Sequence, residues 1–284
     1  MCLGVLRAEF RLVQFRLQYT NAADFAESPW LGVPIVLVYR TVIAAFCTAV
    51  LIASGLFYSG NKGKWFIFLT NWSFFFVTLY FICSTIVTGV HFKNRYQQQQ
   101  NVITDGNEND RSLQMGVTSE DKEPRSCVDV ESEDIVIAHP SEASRIIQMR
   151  WFHQALWVIY NIASTAALLV TISFYTFFRG AGAMSVFTHG VNSILVVIDT
   201  MLSSIPVRLF HVVYPALYFT VYLIFTLIYW AAGQPYIYPM TDYTGQPVFS
   251  AITVVCLFFI ALPLCQTLMF GFYCLRVWMK TKCC

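Results

Sequence analysis

Apolar residues run along this chain in six long blocks, at about 34–58, 65–90, 151–178, 184–205, 209–230 and 249–276. Each approaches or exceeds the roughly 20 residues that a helix needs to cross a bilayer core of about 30 Å. The connections are short apart from the polar segment His91 to Arg150 and the loop 231–248. No period-two alternation runs through the blocks, so a membrane barrel is not indicated. The pattern predicts an all-α, polytopic membrane bundle of six transmembrane helices. The expected divisions are an N-terminal segment 1–30, two spans in 31–90, a disordered loop 91–150, four spans in 151–277 and a tail 278–284.

Composition agrees. Of 284 residues, 57% are hydrophobic and 12% charged, where a soluble domain carries about 25% charge. Outside 91–150 the only acidic residues are Glu9, Asp24, Glu27, Asp199 and Asp242. Basic residues are also unevenly placed. Arg7, Arg11, Arg16, Lys93, Arg95, Arg145, Arg150, Arg208, Arg276, Lys280 and Lys282 fall on one side of the expected bundle; Lys62, Lys64 and Arg179 fall on the other. The excess of Lys and Arg marks the cytoplasmic side, so both termini are expected in the cytosol. No concentrated basic face suggests nucleic acid.

The nine cysteines form no metal-binding spacing, and none is expected in an exoplasmic loop, so no disulfide framework is expected. Cys283 and Cys284 follow Lys280 and Lys282 beside the last span and are candidate lipidation sites. Leu3, Leu6, Phe10, Val13 and Leu17 share one helical face, as in an interfacial helix on the membrane surface. The segment opening with Gln97–Gln100 is too polar to bury a core. Ser119 and Ser132, each followed by Glu-Asp, are candidate phosphorylation sites there. The sequon Asn71-Trp72-Ser73 lies inside the second block and is set aside.

The fourth block carries the most unusual chemistry. At about 100° per residue, His189, Asn192, Ser193, Asp199, Thr200 and Ser203 fall within an arc of about 120°. Lipid cannot satisfy these groups, so the stripe must face the bundle interior. A charge at span centre costs about 2.5–3.5 kcal/mol on insertion scales. Asp199 is therefore paired or functional. Arg40 lies at a similar depth in the first block, and two arrangements fit. Either Arg40 and Asp199 form an ion pair, or Arg40 snorkels to headgroups while serines hold Asp199.

Toward the opposite surface, His189 and Thr70 share a depth. A hydroxyl beside an imidazole can act as nucleophile and base, whereas Ser, Thr, Asn and His also bridge membrane helices as packing hydrogen bonds. The loop Gly233-Gln234-Pro235-Tyr236-Ile237-Tyr238-Pro239-Met240-Thr241-Asp242-Tyr243 has the composition of an ordered cap, and it either roofs the same cavity or forms an aromatic belt.

Trp65-x4-Thr70-Asn71-Trp72, Thr188-His189-Gly190-Val191-Asn192 and Tyr229-Trp230-x2-Gly233-x2-Tyr236-Ile237-Tyr238-Pro239 resemble the rolling stone proteins. These are multi-pass membrane proteins named for a role in insect myoblast fusion. That family is distantly similar to the androgen-induced membrane hydrolases, which cleave fatty-acid esters of hydroxy fatty acids with an intramembrane Thr and a His. Thr70 matches the Thr position. The hydrolases' second, catalytic His falls on Asn192, and Asn is no general base at neutral pH; His189, one turn away, is the remaining candidate.

The resemblance implies a non-enzymatic membrane protein of cell–cell adhesion or fusion in development, with an intramembrane Thr-type lipid ester hydrolase as the alternative. The expected partners are the lipid bilayer and either a lipid ester or another membrane protein. No cofactor or metal is expected. The plasma membrane is the default location, with the endoplasmic reticulum as the alternative. Lone intramembrane charges and unbroken spans argue against a transporter.

Overall fold

A computed structural model describes residues 12–58, 62–116, 148–177 and 186–283. Every regular element among them is helical. The principal helices are α1 (Val33–Leu56), α2 (Leu69–Gly116), α3 (Trp151–Phe177), α4 (Asn192–Leu202), α5 (Val213–Ala231), α6 (Pro247–Cys256) and α7 (Leu262–Cys283). A π-turn at Val186–Val191 leads into α4, and another at Leu257–Ala261 joins α6 to α7.

Five helices are long and apolar enough to cross a membrane: Val33–Leu56, Leu69–Asn101, Trp151–Thr176, Leu209–Ala231 and Pro247–Lys282. The fourth expected span is shorter than its apolar block, with only His189–Leu202 forming an apolar helix. Such a helix is about 21 Å long against a core of about 30 Å. It stops because Pro206 cannot continue a helix, and Ser203 is already extended at φ −85°, ψ 156°.

The loop expected from His91 to Arg150 also begins differently. The backbone of α2 stays helical through Gly116. Glutamine is a good helix former, and Gln100 Nε2 donates to Tyr96 Oη one turn earlier, at 2.9 Å. Ser119 and Ser132 lie outside the described residues.

α3 is the hub. It packs against α2, α4, α5 and α7. Its buried face includes Ala163, Ser164, Ala166 and Ala167, and small residues let neighbouring helices approach closely. Its own Trp157 and Tyr160, with Phe74, Tyr80 and Phe81 of α2, fill the core there. Outward faces are apolar, as at Ile35, Val38 and Val42 of α1 and Val248, Ile252 and Val255 of α6. In the absence of water no hydrophobic drive separates these faces from lipid.

The end of the bundle that carries the basic residues is closed by the chain itself. Residues 1–11, with the apolar positions Leu3, Leu6 and Phe10, lie outside the described residues. The segment after them forms two 3₁₀ turns, Leu12–Phe15 and Ala22–Phe25. Phe25 is fully buried and meets the Trp157 ring edge-on at 5.6 Å. Ser204 N donates to Glu27 O at 3.0 Å, and Trp30 Nε1 donates to Met201 O at 2.9 Å. Glu27 Oε1 lies 3.1 Å from His91 Nε2 and pairs with Arg95 at 3.4 Å.

Candidate functional site

Two polar centres occupy opposite ends of the bundle. The first is built around Asp199, fully buried on α4. Tyr80 of α2 donates its hydroxyl to Asp199 Oδ2. Next to it, the hydroxyls of Thr200 and Tyr160 share a hydrogen bond at 2.7 Å, tying α4 to α3. Ser193 Oγ lies 2.9 Å from Ala167 O and 2.7 Å from Thr171 Oγ1, a second tie to α3.

Arg40 is also fully buried, so it does not snorkel. The expected direct ion pair is not formed either, because no Arg40 nitrogen comes within 4.0 Å of an Asp199 oxygen. Arg40 Nη1 instead donates to Phe25 O at 2.8 Å and Thr88 Oγ1 at 2.6 Å.

Arg276 ends the last apolar block and counts with the cytoplasmic charges. It is 4% exposed within α7, donating to Thr200 O at 2.7 Å, to Ser203 O and to Ile205 O at 3.0 Å. Thr200 O lies in the last turn of α4, where carbonyls lack intrahelical donors, and Ser203 and Ile205 lie just beyond it. A cation there also complements the negative end of the helix dipole.

The second centre is a cavity of about 110 Å³ at the other end of the bundle, lined by Thr70, His189, Tyr222, Tyr238 and Thr241 among mostly apolar side chains of α3, α5 and α6. Thr70 and His189 thus share one cavity; their pairing as nucleophile and base is not among the hydrogen bonds. The His189 ring is stacked on Phe174 at 3.8 Å, and its Nδ1 has no hydrogen-bond partner. Leu69 N, at the start of α2, donates to both Tyr238 Oη at 3.0 Å and Tyr222 Oη at 3.1 Å. Tyr222 in turn donates to Ile67 O at 2.7 Å. Burial pushes the Tyr238 phenol above its usual value.

The loop residues divide. Gly233 takes φ +73°, a left-handed conformation that ends α5 and favours glycine. Tyr236 is 54% exposed, and Pro239 opens a 3₁₀ turn. Of the four residues singled out, only Tyr238 reaches the cavity. Asn192 is fully buried, with neither side-chain amide atom partnered, and it does not line the cavity. The Cys283 side chain and Cys284 lie outside the described residues.

Sequence reasoning missed Tyr80, Tyr160 and Arg276 as partners of the stripe. It also missed a third knot, in which Gln266 Oε1 accepts from Thr165 at 2.6 Å while its Nε2 donates to Arg208 O at 2.8 Å. A tyrosine within an apolar block is indistinguishable from bilayer-facing or core tyrosine until its neighbours are known. Among the described residues no cluster of His, Cys, Asp and Glu is suited to a metal ion.

A family model described as Protein rolling stone matches residues 116–283. Protein rolling stone of Drosophila melanogaster is 27% identical over 286 residues, covering 94% of this chain and 88% of that protein. No solved structure matches. The family match spans α3 to α7, including His189, Asn192, Asp199 and the tyrosine loop, and its helices are those of a membrane bundle. This chain is a multi-pass membrane protein of the rolling stone family.

Proposed function

We propose that this chain is a non-enzymatic membrane protein acting in adhesion between cells or in myoblast fusion. It resides in the plasma membrane with both termini in the cytosol. The observation that carries the reading is the use made of the fourth block's polar stripe. Asp199, Thr200 and Ser193 each engage a side chain of α2 or α3, the pattern of helix-packing glue. The test is depletion of the protein from fusing cells and rescue with variants. Thr70→Ala is expected to restore contact and fusion, while Asp199→Ala fails through low abundance. Depleted cells that adhere and fuse normally would refute the proposal.

One observation favours a second reading, an intramembrane hydrolase of fatty-acid esters of hydroxy fatty acids. Thr70 and His189 line a single, mostly apolar cavity, the setting in which a hydroxyl nucleophile would meet a lipid ester. Fluorophosphonate labelling separates the readings. Label on wild type that is lost in Thr70→Ala would favour the hydrolase, and a well-folded wild type that takes no label would eliminate it.

A further inference from the structure

We propose that the cavity bordered by His189 binds the head of a neutral single-chain lipid bearing a hydroxyl, held by a hydrogen bond to the imidazole. Such a site needs neither an ester nor a nucleophile, so it goes beyond both readings of the function. Leu169, Val170, Phe219, Leu223, Leu257 and Phe258 make the wall mostly apolar, and the described lining carries no Asp, Glu, Lys or Arg. A charged head would lose its water there and gain no countercharge.

Most hydroxyls of the wall are spent within the protein. Thr226 donates to Leu223 O at 2.7 Å, Thr241 to Tyr238 O at 3.0 Å, Thr253 to Phe249 O at 2.9 Å and Tyr222 to Ile67 O at 2.7 Å. His189 differs. It is 7% exposed, and among the described residues its ring has no hydrogen-bond partner. Leaving a buried polar group unsatisfied is unfavourable. A neutral imidazole has one donor and one acceptor nitrogen, and a hydroxyl group can meet either.

The local backbone is built around this space. Both π-turns reach it, Val186–Val191 through His189 and Leu257–Ala261 through Leu257 and Phe258. Such turns occur mostly at functional sites. Thr171 donates to His189 O, which fixes the first turn against α3, and the stacked Phe174 ring fixes the imidazole plane. Size limits the guest. The cavity holds about 110 Å³, and one of about 150 Å³ takes a benzene molecule. Only a head and its first few carbons fit, which excludes two acyl chains or a phospholipid headgroup. The rest of the chain lies in the bilayer, along outward residues such as Val221 and Ile224 of α5 and Ile252 and Val255 of α6.

The test uses the full-length protein in lipid nanodiscs and a photoactivatable fatty alcohol, with a diazirine beside the hydroxyl and an alkyne at the far end. Irradiation is expected to attach it to the peptides bearing Leu169–Phe174 or Leu257 and Phe258. Hexadecanol should suppress attachment, and hexadecane or hexadecyl phosphate should need roughly tenfold more to do so. Attachment confined to outward residues such as Val248, Ile252 and Val255 would show ordinary lipid contact. Equal suppression by all three competitors would show a space blind to the head. Either outcome, or no attachment at all, overturns the proposal on the wild type alone. His189→Leu is expected to lower attachment roughly tenfold, and His189→Gln by less. A folded His189→Leu that captures the probe as wild type does would also overturn it. The probe has no ester, so its capture is read separately from hydrolysis. Attachment to a protein that takes no fluorophosphonate label would establish the binding site and eliminate the hydrolase.

Discussion

The Tyr80 hydroxyl donates to the Asp199 carboxylate, so the acidic side chain of α4 is held by a residue of α2 that lies 119 positions earlier in the chain. This bond decides how the bundle carries a buried charge. Removing a partner from a buried ion costs more than removing one from a neutral group, because the charge stays in low dielectric.

Tyr80→Phe should therefore destabilise the protein by about 2–3 kcal/mol. Tyr160→Phe removes a neutral bond to Thr200 and should cost only about 1 kcal/mol. Thermal unfolding of the two variants side by side checks the ordering; equal losses would mean that Asp199 finds another donor.

Arg276 satisfies one carbonyl in the last turn of α4 and two just beyond it. Arg276→Met is expected to lower stability by about 3 kcal/mol, and Arg276→Lys by less, since lysine keeps the charge but lacks the planar fork. Hydrogen exchange should localise the loss to residues 199–205. Uniform loosening of the bundle would contradict the capping role.

A pH dependence follows from the segment that closes the basic end. The hydrogen bond from His91 is the main cause holding the Glu27 carboxyl below its usual value, helped by Arg95. A lowered folded value favours the ionised form in the folded state. The contribution is thus complete above the unfolded glutamate value of about 4.3 and is lost as pH falls through the lower folded value. Asp24 acts oppositely, since burial raises its carboxyl, and its protonation on acidification favours the folded segment. Glu27→Gln should lower the melting temperature at pH 7. The gap from wild type should persist while pH stays above the unfolded glutamate value of about 4.3 and narrow as pH falls below it. A gap unchanged at pH 3 would exclude the Glu27 link.

Tyr222 serves Ile67 O as well as Leu69 N. Tyr222→Phe strands that carbonyl, for an expected loss of about 1–2 kcal/mol. Thermal unfolding of the variant gives the check, and an unchanged melting temperature would mean that Ile67 O finds another donor.

The apolar blocks and their lengths are determined by the sequence itself, because lipid solvation depends on composition averaged over a span. That is why five of the long helices appear where the blocks predict them, with boundaries displaced by a few residues except at the end of α2, which runs on through Gly116. The polar stripe from Asn192 to Ser203 was legible for the same reason, since helical period alone places those residues on one face. Which groups they meet was not legible. Asp199 pairs with Tyr80 and not directly with Arg40, and Arg276 turns inward to Thr200, Ser203 and Ile205. Matching depth brings candidates to one level of the membrane, but rotation about each helix axis and the packing order around α3 select among them. Those are properties of the assembled bundle. They also bring Thr70, His189 and Tyr238 to one cavity while leaving Asn192 outside it.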